Sequence, residues 1–252
     1  MIVERESHRD TAAIQWVAGV DGCPGGWIVV LAATASAQRQ PLRVATQLCA
    51  QFEAVLALPQ RHVAIAVDIP IGLLERPAPG GRGCDRDARR LLGRPRASSV
   101  FSPPTRPGLT ARSFAQVRMR NGAGMSKEAF NILPKIREVD ALMTPKLQEL
   151  VLEAHPELAF CRLAGRPMRH NKKTPEGRRE RGVLLRRLFA KSFPDPTGVR
   201  LAHGLRQVGV DDVLDACALV LVAAHWLRGE ARRVPDGPPP RDAKGLRMEI
   251  WY

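Results

Sequence analysis

The sequence predicts an α/β fold, a mixed five-stranded sheet with helices on both faces and one inserted region. Three observations carry that expectation. Val63 to Val67 is a short, nearly continuous apolar run, the pattern of a central strand covered on both sides. The apolar runs from Trp16 to Val20 and from Trp27 to Ala33 flank Gly22, Pro24, Gly25 and Gly26, which reads as strand, tight turn, strand. From Asp211 to Leu227 the chain is apolar on almost every side beyond its first turns, as a helix sunk in a core must be. Strand-like and helix-like segments in this order bury their apolar faces by layering helices on a sheet.

In chain order, a polar lead covers residues 1–15 and a single domain follows over 16–252. After the first two strands, Leu42 to Thr46 reads as a third. It leads into a helix from Gln47 to Leu58, where Leu48, Phe52, Val55 and Leu56 recur at helical spacing. The fourth strand, Val63 to Val67, stops at Asp68 and Pro70. Residues from about 76 to 124 are rich in Pro, Gly and Ser around a short helical piece from Asp85 to Leu92, and read as an insertion over one face. Ser126 precedes a helical stretch carrying Phe130, Ile132, Leu133, Ile136 and Val139, which Pro134 should kink or divide. Leu150 to Ala154 is the fifth strand. Thr174 and Pro175 suit the N-cap and first position of an arginine-rich helix running to about Lys191. Asp211 suits the cap of the last helix, and Leu246 to Trp251 suits a final edge strand.

The 252 residues carry 39 Lys and Arg against 25 Asp and Glu, a formal charge of +14, which favours a polyanionic partner, nucleic acid first among them. The five cysteines lie far apart with no CxxC pair, so neither a disulfide framework nor a structural zinc site is indicated. A reducing compartment fits them. The charged N-terminal stretch has no continuous apolar region, and no apolar run approaches the ~20 residues of a membrane span, so a cytoplasmic protein is expected.

Among the acids, Asp21 and Asp68 stand out because they terminate strands that are otherwise apolar. Carboxyl ends of central strands line the ligand crevice of open α/β sheets, so both could enter one site; a turn role explains either of them alone. Asp212 and Asp215 are three apart and share a helical face. The helix dipole accounts for acids in a first turn, but Asp215 lies deeper, where an unpaired carboxylate costs several kcal/mol and a bound cation would offset it. Four such carboxylates suit a hard divalent metal, Mg²⁺ or Mn²⁺, and two ions about 4 Å apart can hydrolyse a phosphodiester. Glu157, after the fifth strand, is a fifth candidate ligand or a helix-start acid.

Basic residues offer phosphate contacts or solvated faces. One group, with Arg82, Arg86, Arg89 and Arg106, lies in the inserted region; another holds Lys172, Lys173, Arg178, Arg179 and Arg181. Lys127 and Lys135 flank the Phe130 helix and are candidates to reach a scissile phosphate, although a lysine can also lie near a site by chance. His155, before Pro156, reads as structural and outside the metal shell; Trp27 reads as core.

Taken in order, the stretches Val20 to Trp27, Asp68 to Gly72, Cys84 to Arg89, Phe130 to Ile136, His155 to Glu157, Lys172 to Arg178 and Asp211 to Ala216 resemble the domain-of-unknown-function family 429, described as predicted RNase H-like nucleases. The resemblance spans roughly Trp16 to Tyr252 and implies an RNase H-like fold. More distantly, the chain is similar to RuvC-type resolvases, with an Asp on the first strand, an acid on the fourth and an Asp-x-x-Asp pair on the last helix. Carried over by position, these are Asp21, Asp68, Asp212 and Asp215. Asp68 stands where the resolvases carry Glu, a shorter reach that moves one metal or leaves only one bound. The expected activity is thus a metal-dependent nuclease or phosphodiesterase acting on nucleic acid. The alternatives are a non-catalytic nucleic-acid-binding module of the same fold and, last, a phosphotransferase of the sugar-kinase and actin type. The phosphate loops of that last type resemble Asp21 to Gly26, although such proteins repeat the fold twice.

Overall fold

The computed structural model describes residues 14–34, 40–60 and 62–252. The expected polar lead lies outside them but for Ile14 and Gln15, and Gln15 already opens the first strand. Strands β1 (Gln15–Cys23) and β2 (Gly26–Thr34) form an antiparallel hairpin in register from Gln15↔Thr34 to Cys23↔Gly26. Gly26 has a φ of 121°, and a side chain there would collide with the Cys49 carbonyl, so the turn requires glycine. Strand β3 (Arg43–Cys49) pairs antiparallel with β2; β4 (His62–Val67) lies parallel to β1 on its other side, and β5 (Val151–Glu153) parallel to β4. The order β3-β2-β1-β4-β5 is a mixed five-stranded sheet, and with helices on both faces the architecture is RNase H-like α/β.

Parity along the strands sorts the core into two layers. Val17, Ile28, Val30, Ala64 and Ala66 point to one side, Ala18, Val20, Val29, Ile65 and Val67 to the other. On the second side lie α1 (Phe52–Leu56) and α5 (Leu133–Leu142), the latter preceded by α4 (Lys127–Asn131). Between β4 and α4 come α2 (Gly83–Leu92) and α3 (Val117–Asn121). The first side is covered by α9 (Val210–Leu227), backed by α6 (Pro156–Ala164), α7 (Pro175–Phe189) and α8 (Pro196–His203). A separate two-stranded ribbon joins β6 (Arg233–Val234) to β7 (Ile250–Trp251).

Pro134 divides its helix as expected: it sits in the first turn of α5, and α4 ends one residue before Ile132. Thr174 caps α7, its hydroxyl accepting from Gly177 N at 3.1 Å. Three details differ. The helix expected from Gln47 is confined to Phe52–Leu56, because Gln47, Leu48 and Cys49 pair with Val29, Ile28 and Trp27 in the sheet. Burial in β3 alternates with period two, which overrides the helical spacing of Leu48 and Phe52. The final edge strand is reduced to Ile250–Trp251, which pairs with β6 and is joined to the main sheet by an isolated bridge to Ala154. A three-residue β5 leaves little edge to extend, and Leu246 turns instead into the core beside α5. Asp211 is not the cap of α9; Gly209 is, and the Asp212 carboxylate accepts from its N–H at 2.8 Å. Among the described residues, no helix is long and apolar enough to cross a membrane.

Candidate functional site

The register of β1 and β4 builds the site. Val20 pairs with Val67 in parallel, and Asp68 N donates to Val20 O at 3.1 Å, so Asp21 and Asp68 emerge side by side from neighbouring strands. By parity both belong to the face covered by α9. That helix lies against β1 with almost no gap: a β-carbon on Gly19 would fall on the Ala216 carbonyl oxygen and the Val220 amide nitrogen. Close approach at Gly19 delivers Asp215, the residue before Ala216, to the strand ends. Asp215 is 1% exposed, and Asp212 stands one turn earlier, half-buried. Asp21 lies within β1, whose pairing runs on to Cys23, and its Oδ1 accepts from Gly22 N at 2.9 Å.

These acids act on one another. Burial pushes the Asp21 carboxyl well above the usual range, with Asp215, Asp68 and Asp212 adding to it and Lys172 opposing. Burial also raises Asp68, to about 7, against Lys172 and with help from Asp215 and Glu157. Asp212 is raised by burial, which the Gly209 N–H partly counters. At the centre stands Lys172, whose Nζ donates to Asp215 Oδ2 at 2.5 Å. Burial works against its ammonium, but Asp215, Asp21 and Asp68 outweigh that and hold its proton more tightly than on a free lysine.

One ammonium does not satisfy the cluster. Asp215 Oδ1 is buried without a partner. Glu157 pairs through Oε1 with the buried Arg181, leaving Oε2 unpaired. All-oxygen donors with unpaired buried atoms fit a hard divalent cation such as Mg²⁺ or Mn²⁺. Yet among the described residues no three His, Cys, Asp or Glu side chains stand together as a ready coordination shell. The arrangement is closed on Lys172.

The expected phosphate-binding bases are dispersed. Arg86 donates to Gly81 O, and Arg89 to Val100 O, Gly80 O and Ser102 Oγ, so both brace the backbone of their own region. Lys135 donates to Gly26 O at 2.5 Å and lies 4.5 Å from the Trp27 ring centroid, supporting the β1–β2 turn. Lys127 is exposed at the start of α4, and Lys173 pairs with Asp211 at 2.5 Å. Arg82 and Arg181, grouped by the sequence with surface bases, are fully buried.

Glu153 escaped the sequence reading of the site, and His155 was set outside it as structural. Glu153, at the end of β5, holds Arg82 at 2.5 Å and accepts from Ile71 N at 2.6 Å; burial lifts it to about 7 against that guanidinium. Arg82 also pairs with Asp85 and donates to Ile71 O and Gly72 O, tying the chain after Asp68 to β5. His155 stands two residues past β5, and burial lowers its imidazole, which also senses Glu157, Lys172 and Asp215. Its Nδ1 is buried without a partner and its Nε2 lies 3.4 Å from Ser99 O. The strand-end criterion that singles out Asp21 and Asp68 applies to Glu153, the last residue of β5, and could have found it.

No curated protein and no solved structure matches the chain. A family model does, over residues 19–240, a span that contains every carboxylate of the cluster, and the chain belongs to that family, described as a protein of unknown function (DUF429).

Proposed function

We propose that this protein is a Mg²⁺- or Mn²⁺-dependent phosphodiesterase acting on nucleic acid, with Asp21, Asp68, Asp212 and Asp215 as the metal-holding carboxylates and Glu157 beside them. The carrying observation is a carboxylate cluster at the neighbouring strands β1 and β4 and on α9, with Asp21 and Asp215 buried, too little positive charge and an unpaired oxygen on Asp215. A divalent cation held there supplies Lewis-acid stabilisation of a phosphoryl oxygen and lowers the pKa of an attacking water. Asp21 is the central ligand, since its carboxyl senses Asp215, Asp68 and Asp212 together. The buried flanks of α9 and β4 keep bulk water from the carboxylates and strengthen their hold on a cation.

Support for a polyanionic substrate comes from the charge of +14 and from an open cleft of about 660 Å³ between α6 and α7. Arg166, Arg169, Arg179 and Arg187 line it against Glu176 and Glu180, and His170 on its wall is two residues from Lys172. The guanidinium groups there offer contacts to a phosphate backbone.

The test is cleavage of labelled DNA and RNA with added Mg²⁺ or Mn²⁺ by the wild type and by Asp21→Asn. The expected result is a loss of at least about 100-fold in the variant. Equal cleavage by both would place the activity elsewhere. The Lys172–Asp215 pair favours a second reading, a nucleic-acid-binding module of the same fold without catalysis. In that case both proteins bind the strands and neither cuts them.

A further inference from the structure

We propose that Lys172 is a built-in occupant of the cation position, so that a divalent ion enters the carboxylate cluster only by displacing its ammonium. This rests on the reading that the cluster takes a divalent cation. Lys172 belongs to the connection between α6 and α7, and that strap is anchored on both sides of it. Before it, the Glu180 carboxylate accepts from the backbone N–H of Arg169 and of His170, each at 3.1 Å or less, and Arg181 donates to His170 O at 3.1 Å. After it, Lys173 pairs with Asp211, and Thr174 Oγ1 donates to Asn171 O at 2.9 Å. Gly177 lets the strap lie on the first turn of α7, because any β-carbon there would fall on the Asn171 carbonyl. The backbone therefore aims Lys172 at Asp215.

The two partners differ in freedom. Asp215 is 1% exposed and fixed on a buried helix, whereas the Lys172 side chain is 33% exposed and hangs on a flexible four-carbon stem. The ammonium can swing outward with the strap in place. A divalent ion brings twice the charge to Asp215, Asp21 and Asp68, but must first break the 2.5 Å pair. Apparent metal affinity is then the intrinsic affinity reduced by the fraction of molecules in which Lys172 occupies the site.

Titration calorimetry of the full chain with Mn²⁺ alone tests this. Lys172→Met should bind Mn²⁺ at least about tenfold tighter than wild type, and Asp215→Asn more weakly. Lys191→Ala, past the far end of α7 and exposed, should stay within about threefold of wild type. A measurement on the wild type stands independently of how the variants fold. Acylation of lysines by an N-hydroxysuccinimide ester, read by peptide mass, should rise several-fold at Lys172 on adding Mn²⁺ and stay level at Lys191. If wild type binds Mn²⁺ through Asp21 while Lys172→Met binds equally or less well, or Lys172 labelling does not rise, the displacement idea fails and the metal site stands. Absence of Mn²⁺ binding to either protein at millimolar metal overturns both.

Discussion

Asp68 and Asp21 carry charge in a place that disfavours it, and that sets a pH dependence. Burial places the Asp68 carboxyl at about 7, far above the ~3.9 of a free aspartate. Between those values the native state holds a proton that the unfolded chain has lost, so the contribution of this group to stability is fully present below about pH 4 and is lost as pH rises through 7. Asp21 is shifted the same way. Asp68→Asn should therefore be more stable than wild type at pH 8, by on the order of 1–3 kcal/mol, and close to it at pH 4. Denaturant unfolding at the two pH values measures this; a variant destabilised at pH 8 would show the charge to be compensated. Arg82 poses the opposite case. Its side chain is 2% exposed and joins Asp85 and Glu153, so Arg82→Met leaves two buried carboxylates with backbone N–H donors but no countercharge and should destabilise by about 3–5 kcal/mol. Arg90, 77% exposed in its pair with Asp87, should lose under about 0.5 kcal/mol on the same replacement.

Among the elements, α9 decides whether there is a site, and Gly19 decides where α9 lies. A methyl group on Gly19 meets helix backbone, which cannot rotate away as a side chain would. Gly19→Ala should cost more than about 3 kcal/mol and, by lifting Asp215 from Asp21, abolish any stabilisation by Mn²⁺. Thermal unfolding with and without Mn²⁺ reads both effects. Gly182, inside α7 with nothing within 4 Å of an added β-carbon, is the natural contrast. There Gly182→Ala should stabilise by about 0.5–1 kcal/mol through helix propensity alone.

For the molecule as a whole, the net charge overstates the positive surface that remains for a partner. Arg82 and Arg181 are consumed in buried pairs, and Arg106 is divided among Glu75, Asp140 and Asp242. The α6–α7 cleft keeps four arginines against two glutamates. Binding to a short single-stranded oligonucleotide should weaken at least about tenfold between about 50 and 200 mM salt, with a shallower slope after Arg179→Ala combined with Arg187→Ala. Fluorescence anisotropy across a salt series checks both, and a flat response would remove the polyanion from consideration.

The sequence by itself determined what depends on neighbours along the chain. Apolar runs marked β1, β2 and β4, Pro134 divided α4 from α5, and Thr174 capped α7, because strand burial, the missing proline N–H and hydroxyl capping are local stereochemistry. The aspartates at the strand ends and on the last helix were legible for the same reason. Only the tertiary structure decided whether Leu48 joined a helix or a sheet, since its partner Ile28 lies on another strand. It also decided which base meets which acid: Lys172 and Asp215 are 43 residues apart, Arg82 and Glu153 are 71 apart. A charge shows its sign in the sequence, but its partner and its degree of burial exist only once distant segments are packed together, and those two quantities govern what it does.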